Sequence, residues 1–135
     1  MIAAGACTDS AMNRLRFEGL DYAPIPDFGL LRSAYEAAAS GRLDVQTHVG
    51  LILSSDSFYN PRPDLTQRMV DYGVLGVEME ASALYTLAAK YRRKALAICT
   101  VSDHIVTGEE TSAHEREQGL GDMVEIALAA LFADG

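Results

Sequence analysis

Apolar and polar positions alternate in blocks along this chain, and the blocks change period from strand-like to helix-like and back. Residues 2–7 (IAAGAC) are short, small and apolar, and read as a strand in which Gly5 marks a close approach of backbone or ligand. A polar break follows at Thr8-Asp9-Ser10. Asn13, Arg14 and Arg16 then fall in a mixed segment with no assignable period. Between Asp27, a good N-cap, and Gly41, a good residue just past a C-terminus, Leu31, Ala34, Tyr35 and Ala38 recur at helical spacing. Residues 45–53 are strand-like and run into Ser54-Ser55-Asp56-Ser57-Phe58-Tyr59-Asn60-Pro61. Pro63 and Gly73 bracket a short helix over 64–72. Residues 74–77 form a short strand ending in Glu78-Met79-Glu80. A helix over 80–92 is expected to bury Leu84, Leu87, Ala88 and Tyr91.

Residues 95–101 read as a buried strand that delivers Ser102, Asp103 and His104 at its carboxyl end. A polar loop with Gly108 comes next. Ser112-Ala113-His114-Glu115 matches a capping box, with Arg116 in the same first turn. Gly119 and Gly121 weaken the last helix by roughly 1 kcal/mol each relative to Ala. Val124, Ala127, Leu128 and Leu131 then supply its expected apolar face. Strands alternating with helices predict an α/β fold with some parallel pairing, in one domain over residues 1–135.

Composition narrows the function classes. Of the 135 residues, 49% are hydrophobic, enough for a real core; a chain of this length buries roughly 68–70% of its unfolded surface. A net charge of −8 argues against nucleic-acid backbone or anionic membrane as partner. Cys7 and Cys99 stand alone without a CxxC, and His48, His104 and His114 lack metal-ligand spacing, so neither a disulfide framework nor a metal centre is expected. No apolar run reaches membrane-spanning length and no secretory leader is evident, which predicts a soluble cytoplasmic protein.

Several residues are candidates for chemistry, each with a plainer reading beside it. In open α/β sheets ligands bind outside the carboxyl ends of strands. Asp103 is therefore a candidate for proton transfer, or else a solvated loop acid or helix cap. Phe58 and Tyr59 read as pocket lining or as ordinary packing. Glu80 is a ligand-facing carboxylate or an acid favoured by the positive end of a helix. Arg14 and Arg16 could meet phosphate, but a lone pair of arginines more simply decorates the surface.

Four segments taken together resemble a known family. Gly76-Val77-Glu78-Met79-Glu80-Ala81 and Thr100-Val101-Ser102-Asp103-His104 are similar to the two signature segments of bacterial purine nucleoside phosphorylases of the hexameric type. Gly5-Ala6-Cys7-Thr8-Asp9-Ser10 and Ser55-Asp56-Ser57-Phe58-Tyr59 resemble that family as well, in the same order and with similar spacing. The resemblance implies a three-layer fold with a mixed, twisted central sheet flanked by helices. It implies phosphorolysis of purine ribo- and deoxyribonucleosides to free base and sugar 1-phosphate. Inorganic phosphate would be the co-substrate, with no cofactor and no metal.

By the same resemblance Asp103 is the general acid that protonates purine N7, and Arg116 swings in beside it. Phe58 and Val77 pack on the base with Ser102 nearby, while Met79 and Glu80 hold the sugar. The chemistry suits these residue types, because a purine anion is a poor leaving group that a proton on N7 neutralises. Such acid catalysis contributes typically 10²–10⁴-fold. An ordinary Asp titrates at about 3.9, so a donor must be covered, and an arginine permanently paired to it would oppose its role. Arg116 would then approach as the proton leaves, with the loop around Gly108 and the glycines at 119 and 121 permitting the motion.

The family is substantially longer on its N-terminal side, where its phosphate loop and further sugar contacts lie. The chain is thus expected to be the C-terminal portion of such a domain. It would be a homo-oligomer, or would need a complementing N-terminal chain, with its phosphate site supplied from outside. The alternatives are a hydrolytic nucleosidase of the same superfamily, and a non-catalytic subunit that binds nucleoside or only assembles.

Overall fold

The computed structural model describes residues 1–59 and 62–133. In chain order the elements are β1 (Ile2–Thr8), α1 (Met12–Arg16), α2 (Phe28–Ala38), β2 (Val49–Ser54), α3 (Pro63–Asp71), β3 (Gly76–Glu78), α4 (Ala81–Tyr91) and α5 (Ala113–Ala133). The strands form one sheet in the order β1-β2-β3, and both pairings are parallel. The expected α/β class holds, in three layers. On one face of the sheet Ile2 packs with Ala34 and Ala38 of α2 and Ile126 and Ala130 of α5. On the other, Ala3, Ala6 and Ile52 pack with Ala81 and Tyr85 of α4.

Ala3 and Ala6 share a face although strand alternation puts residues three apart on opposite faces. The register explains it: Ala3 pairs with Gly50 and Gly5 with Leu51, so Ala4 is an extra residue that resets the alternation. This bulge places both small side chains under Tyr85. The buried Tyr85 hydroxyl donates to the carbonyl of Ala3 at 2.8 Å and accepts from the amide of Ala97 at 3.0 Å. One side chain thus ties α4, β1 and the 95–99 segment together.

Several expectations need correction. Residues 95–101 are not a regular strand. The segment runs antiparallel to the start of β1 through a single bridge, Ile2 with Ile98, flanked by bonds from Ala3 N to Ala97 O (3.0 Å) and Cys99 N to Met1 O (2.9 Å). Farther along β1 the free edge is taken by another segment, because Ala6 N donates to Pro24 O at 3.0 Å. The antiparallel component expected of a mixed sheet reduces to that bridge. The 45–53 strand begins later, at Val49, and residues 12–16 form the short helix α1.

Two helices also turn differently from their largest apolar residues. In α4 the buried residues are Ala81, Ser82, Tyr85 and Thr86, while Leu84, Leu87 and Tyr91 are exposed. In α5 they are Ile126 and Ala130, while Val124, Leu128 and Leu131 are exposed. The α4 face turned to the sheet carries Ala81 and the bonded Tyr85, whereas α5 turns Ile126 and Ala130 to α2 and to Ile2. The expected N-cap does form on α2, where the Asp27 carboxylate accepts from Leu30 N at 3.0 Å. The capping box of α5 forms as well: Glu115 N donates to Ser112 Oγ at 3.2 Å and Ser112 N to Glu115 Oε2 at 2.8 Å. The helix passes Gly119 and Gly121 without a break. At 119 a Cβ would lie 3.0 Å from the Thr100 methyl, and Thr100 Oγ1 donates to the Gly119 carbonyl at 3.0 Å. Glycine there lets α5 dock on the 95–101 segment; nothing comparable explains Gly121.

Candidate functional site

Parallel pairing brings the carboxyl ends of the three strands together, and there Thr8, Ser54 and Glu78 form one hydrogen-bonded row. Thr8 Oγ1 donates to the Ser54 carbonyl at 2.7 Å, and Ser54 Oγ donates to Glu78 Oε1. Glu78 Oε2 accepts the amides of Glu80 and Ala81, both at 2.7 Å, and Ser54 Oγ accepts the amide of Ser82 at 2.8 Å. Three amides at the start of α4 are thereby satisfied by side chains from β2 and β3, which is the work of an N-cap. Glu80 stands at the N-cap position yet makes no capping bond with its own side chain. The capping alternative read for Glu80 is therefore filled by Glu78, and the exposed Glu80 carboxylate is left for another partner.

A second link joins β1 to the loop after β2. Asp9 Oδ2 accepts from Ser55 Oγ at 2.8 Å and Oδ1 from the Asp56 amide at 2.9 Å. The buried Ser55 also donates its amide to the Glu78 carbonyl at 2.8 Å. Behind the row, Asn13 of α1 donates to Ser82 Oγ at 3.4 Å and Thr86 Oγ1 at 3.1 Å, while its own Oδ1 is buried without a partner.

Phe58, Val77, Met79 and Glu80 sit around this row. Phe58 is 79% exposed, with its ring edge-on to Tyr59 at 5.0 Å. Val77 and Met79 are about half exposed, at 43% and 41%. None of the three is consumed by the core. Asn60 and Pro61, the end of the same polar-aromatic stretch, lie outside the described residues. Arg14 decorates the surface and faces Asp21 at 3.9 Å, both side chains well exposed.

Ser102 and Asp103 stand on a separate loop, with Arg116 in the first turn of α5 that follows it. Thr111 donates its amide (2.9 Å) and hydroxyl (2.6 Å) to the Ser102 carbonyl, the backbone at Asp103 pairs antiparallel with that at Glu110, and His104 N donates to Glu109 O at 2.8 Å. The turn closes through Gly108 at φ +73°, a left-handed conformation that suits glycine, with its amide donating to His104 O at 2.7 Å. Ser102 Oγ donates to Asp103 Oδ2 at 2.7 Å, and the Arg116 guanidinium donates to the Thr111 carbonyl. All of residues 101–110 are exposed. The bonds of Ser102 and Asp103 stay within this loop, so no direct bond fixes the acid relative to Phe58 or Glu80. Cys99 precedes this loop, and its backbone pairs with that of Met1. Its half-buried thiol is pushed above the ordinary value of 9.0 first by burial and then by the negative charge of Glu78, with Glu80 adding to it.

Asp9, Ser54, Ser55 and Glu78 lie in segments marked above, but none of them is assigned a role of its own from the sequence. The signal was present, since each lies at or just past the carboxyl end of a strand, but Thr8-Asp9 and Ser54-Ser55 are joined only by β1–β2 pairing. Among the described residues no group of three or more His, Cys, Asp or Glu could hold a metal ion, and no helix is long and apolar enough to cross a membrane. A cleft of about 140 Å³ opens elsewhere, at the amino end of β1, between Met1, His48, Ile98, Thr100 and Met123.

The sequence of residues 1–134 matches the profile of the phosphorylase superfamily. The chain is 56% identical over 130 residues to a purine nucleoside phosphorylase DeoD-type of Listeria welshimeri, covering 96% of this chain and 54% of that protein. It is 58% identical over 128 residues to the protein of the same name from Clostridium novyi, covering 95% and 54%. It is 53% identical over 132 residues to that of Xenorhabdus nematophila, covering 98% and 55%. The chain thus spans about half the length of the curated relatives it matches.

Proposed function

The chain belongs to the phosphorylase superfamily, and on that premise we propose that it carries the base- and sugar-binding part of a purine nucleoside phosphorylase site. Glu80 carries this reading. It is an exposed carboxylate at the carboxyl end of β3 that does not cap its own helix, because Glu78 does so. A free carboxylate beside the half-exposed Met79 suits the hydroxyls of a sugar, and the exposed Phe58 ring with Val77 suits the flat face of a base.

In this reading Asp103 delivers a proton to purine N7 as the glycosidic bond breaks. Ser102, which donates to Asp103 Oδ2, orients the carboxyl. Arg116 waits on the Thr111 carbonyl and moves to Asp103 once the proton has left. Covering Asp103 from water favours its neutral, donating form. Inorganic phosphate is the co-substrate, no cofactor or metal is assigned a step, and the site works in the cytoplasm.

The exposure of residues 101–110 favours one qualification, that Asp103 is covered by a second copy of the chain or by a complementing chain, which also brings the phosphate site. The test is release of free base from inosine or adenosine by the purified chain, with and without phosphate. Phosphate-dependent release with sugar 1-phosphate as product supports the proposal. Phosphate-independent release makes the chain a nucleosidase. Nucleoside binding without release makes it a binding subunit, and no binding at all removes the reading.

A further inference from the structure

We propose that Asp9 is a positioning residue for the aromatic loop after β2, holding Phe58 at the angle at which it stacks on a flat ligand; the proposal rests on the reading of Phe58 as a base contact. The Phe58 ring is 79% exposed and its ring partner is the equally exposed Tyr59, so no core packing sets its direction. The turn beneath it must do so. That turn is built as a chain of hydrogen bonds. Ser57 N donates to Ser55 Oγ at 3.2 Å, and Ser57 Oγ donates to the Tyr59 carbonyl at 3.0 Å. Ser55 Oγ in turn donates to Asp9 Oδ2 at 2.8 Å, and Asp9 Oδ1 takes the Asp56 amide at 2.9 Å.

Asp9 has no competing local duty. The residues on either side of it serve the start of α1: Ser10 N donates to Thr8 Oγ1 at 3.0 Å and Met12 N to Ser10 Oγ at 3.3 Å. Asp9 faces the other way, across the sheet end, to a loop 46 residues on. Two oxygens on one short side chain fix both a hydroxyl and an amide, a two-point contact that sets direction as well as distance. A loop anchored in this way keeps its aromatic ring ready for a ligand, and less ordering is needed on binding.

The chain contains no tryptophan, so Phe58→Trp makes a single fluorescent reporter at the point of interest. The full chain carrying Phe58→Trp is compared with the same chain also carrying Asp9→Ala or Asp9→Asn. The readouts are tryptophan anisotropy, acrylamide quenching, adenine and hypoxanthine binding by quenching, and the melting temperature. Asp9→Ala is expected to lower the anisotropy, raise acrylamide access and weaken base binding by roughly 5- to 10-fold, most of one stacking contact. Asp9→Asn keeps an acceptor for the Asp56 amide and is expected to restore most of the anisotropy. Ser55→Ala removes the hydroxyl half of the Asp9 contact together with the bonds of Ser55 Oγ to Ser57, so it should change the anisotropy at least as much as Asp9→Ala, which keeps the test open if Asp9→Ala folds poorly. Unchanged anisotropy and quenching in Asp9→Ala or Ser55→Ala overturn the proposal, as does a change seen only in step with a fall in melting temperature. If the reporter chain binds neither base while its anisotropy still depends on Asp9, the positioning role stands and the base-binding reading falls.

Discussion

Arg116 and Asp103 are joined through two intervening residues, Thr111 and Ser102, without touching each other. The guanidinium donates to the Thr111 carbonyl, Thr111 binds the Ser102 carbonyl, and Ser102 donates to Asp103, with no ion pair between the arginine and the acid. A general acid cannot hold its proton beside a fixed cation, so this separation suits a donor whose cation arrives late. Asp103→Asn keeps the shape and the Ser102 contact but has no acidic proton. In any preparation where the wild-type chain cleaves nucleosides, the substitution is expected to lower the turnover number by about 10²–10⁴ and to spare binding. An unchanged turnover number would remove Asp103 from the chemistry.

Glu78 and Glu80 are separated by one residue and predict opposite outcomes. Glu78 accepts two helix-start amides and the Ser54 hydroxyl, so Glu78→Ala strips a cap and a charge-assisted bond and is expected to cost about 1–3 kcal/mol of stability. Glu80→Gln is expected to leave stability within about 0.5 kcal/mol and to weaken nucleoside binding while sparing the free base. Urea unfolding and titration with nucleoside and base check both. A stability loss in Glu80→Gln matching that of Glu78→Ala would return Glu80 to a capping role.

The contrast shows what the sequence could and could not reveal. Capping chemistry is local, so Asp27 and the Ser112/Glu115 box were legible from spacing alone. The acidic pair around Met79 was visible too, but its division of labour was not. Which acid caps α4 depends on Ser54, 24 residues earlier, reaching Glu78 across a parallel strand pair. Helix faces failed for a related reason. Periodicity marked the leucines of α4 and α5 as inward, whereas α4 buries Ala81, Ser82, Tyr85 and Thr86 against the sheet and α5 buries Ile126 and Ala130 against α2 and Ile2, so the inward face follows the partner surface rather than the largest apolar side chains. The 95–101 segment has a strand's composition, but Pro24 occupies the edge it would have paired with.

Alkaline pH is expected to unfold this chain early. Burial pushes the thiols of Cys7 and Cys99 above 9.0 and the Tyr85 phenol above 10.0. Each group holds its proton more tightly when folded. Its contribution is therefore fully present below those ordinary values and is lost as pH rises past them through the folded-state values. Unfolding midpoints in urea should fall steadily from about pH 9 upward, and Cys99→Ala should flatten the first part of the fall. A midpoint constant through that range would contradict the buried states of all three. Tyr85→Phe removes the phenol's part but leaves the Ala3 carbonyl and the Ala97 amide without their partner, at about 1–3 kcal/mol.

The exposed apolar stripes predict association. Leu120, Val124, Leu128 and Leu131 line one side of α5, each between 47% and 60% exposed. Leu84, Leu87 and Tyr91 are exposed on α4, α3 buries none of its residues, and among the described residues no strand pairs with the outer edge of β3. Contiguous apolar surface and open strand edges both recruit other chains. Sedimentation of the purified chain should show oligomers at tens of micromolar. Paired substitution of Val124 and Leu128 by Lys should shift the distribution towards monomer, with stability held within about 1 kcal/mol because neither side chain is buried. If the wild-type chain sediments as a single monomer and also phosphorolyses inosine, then neither partner nor second copy is needed, and the covering of Asp103 must come from the substrate itself.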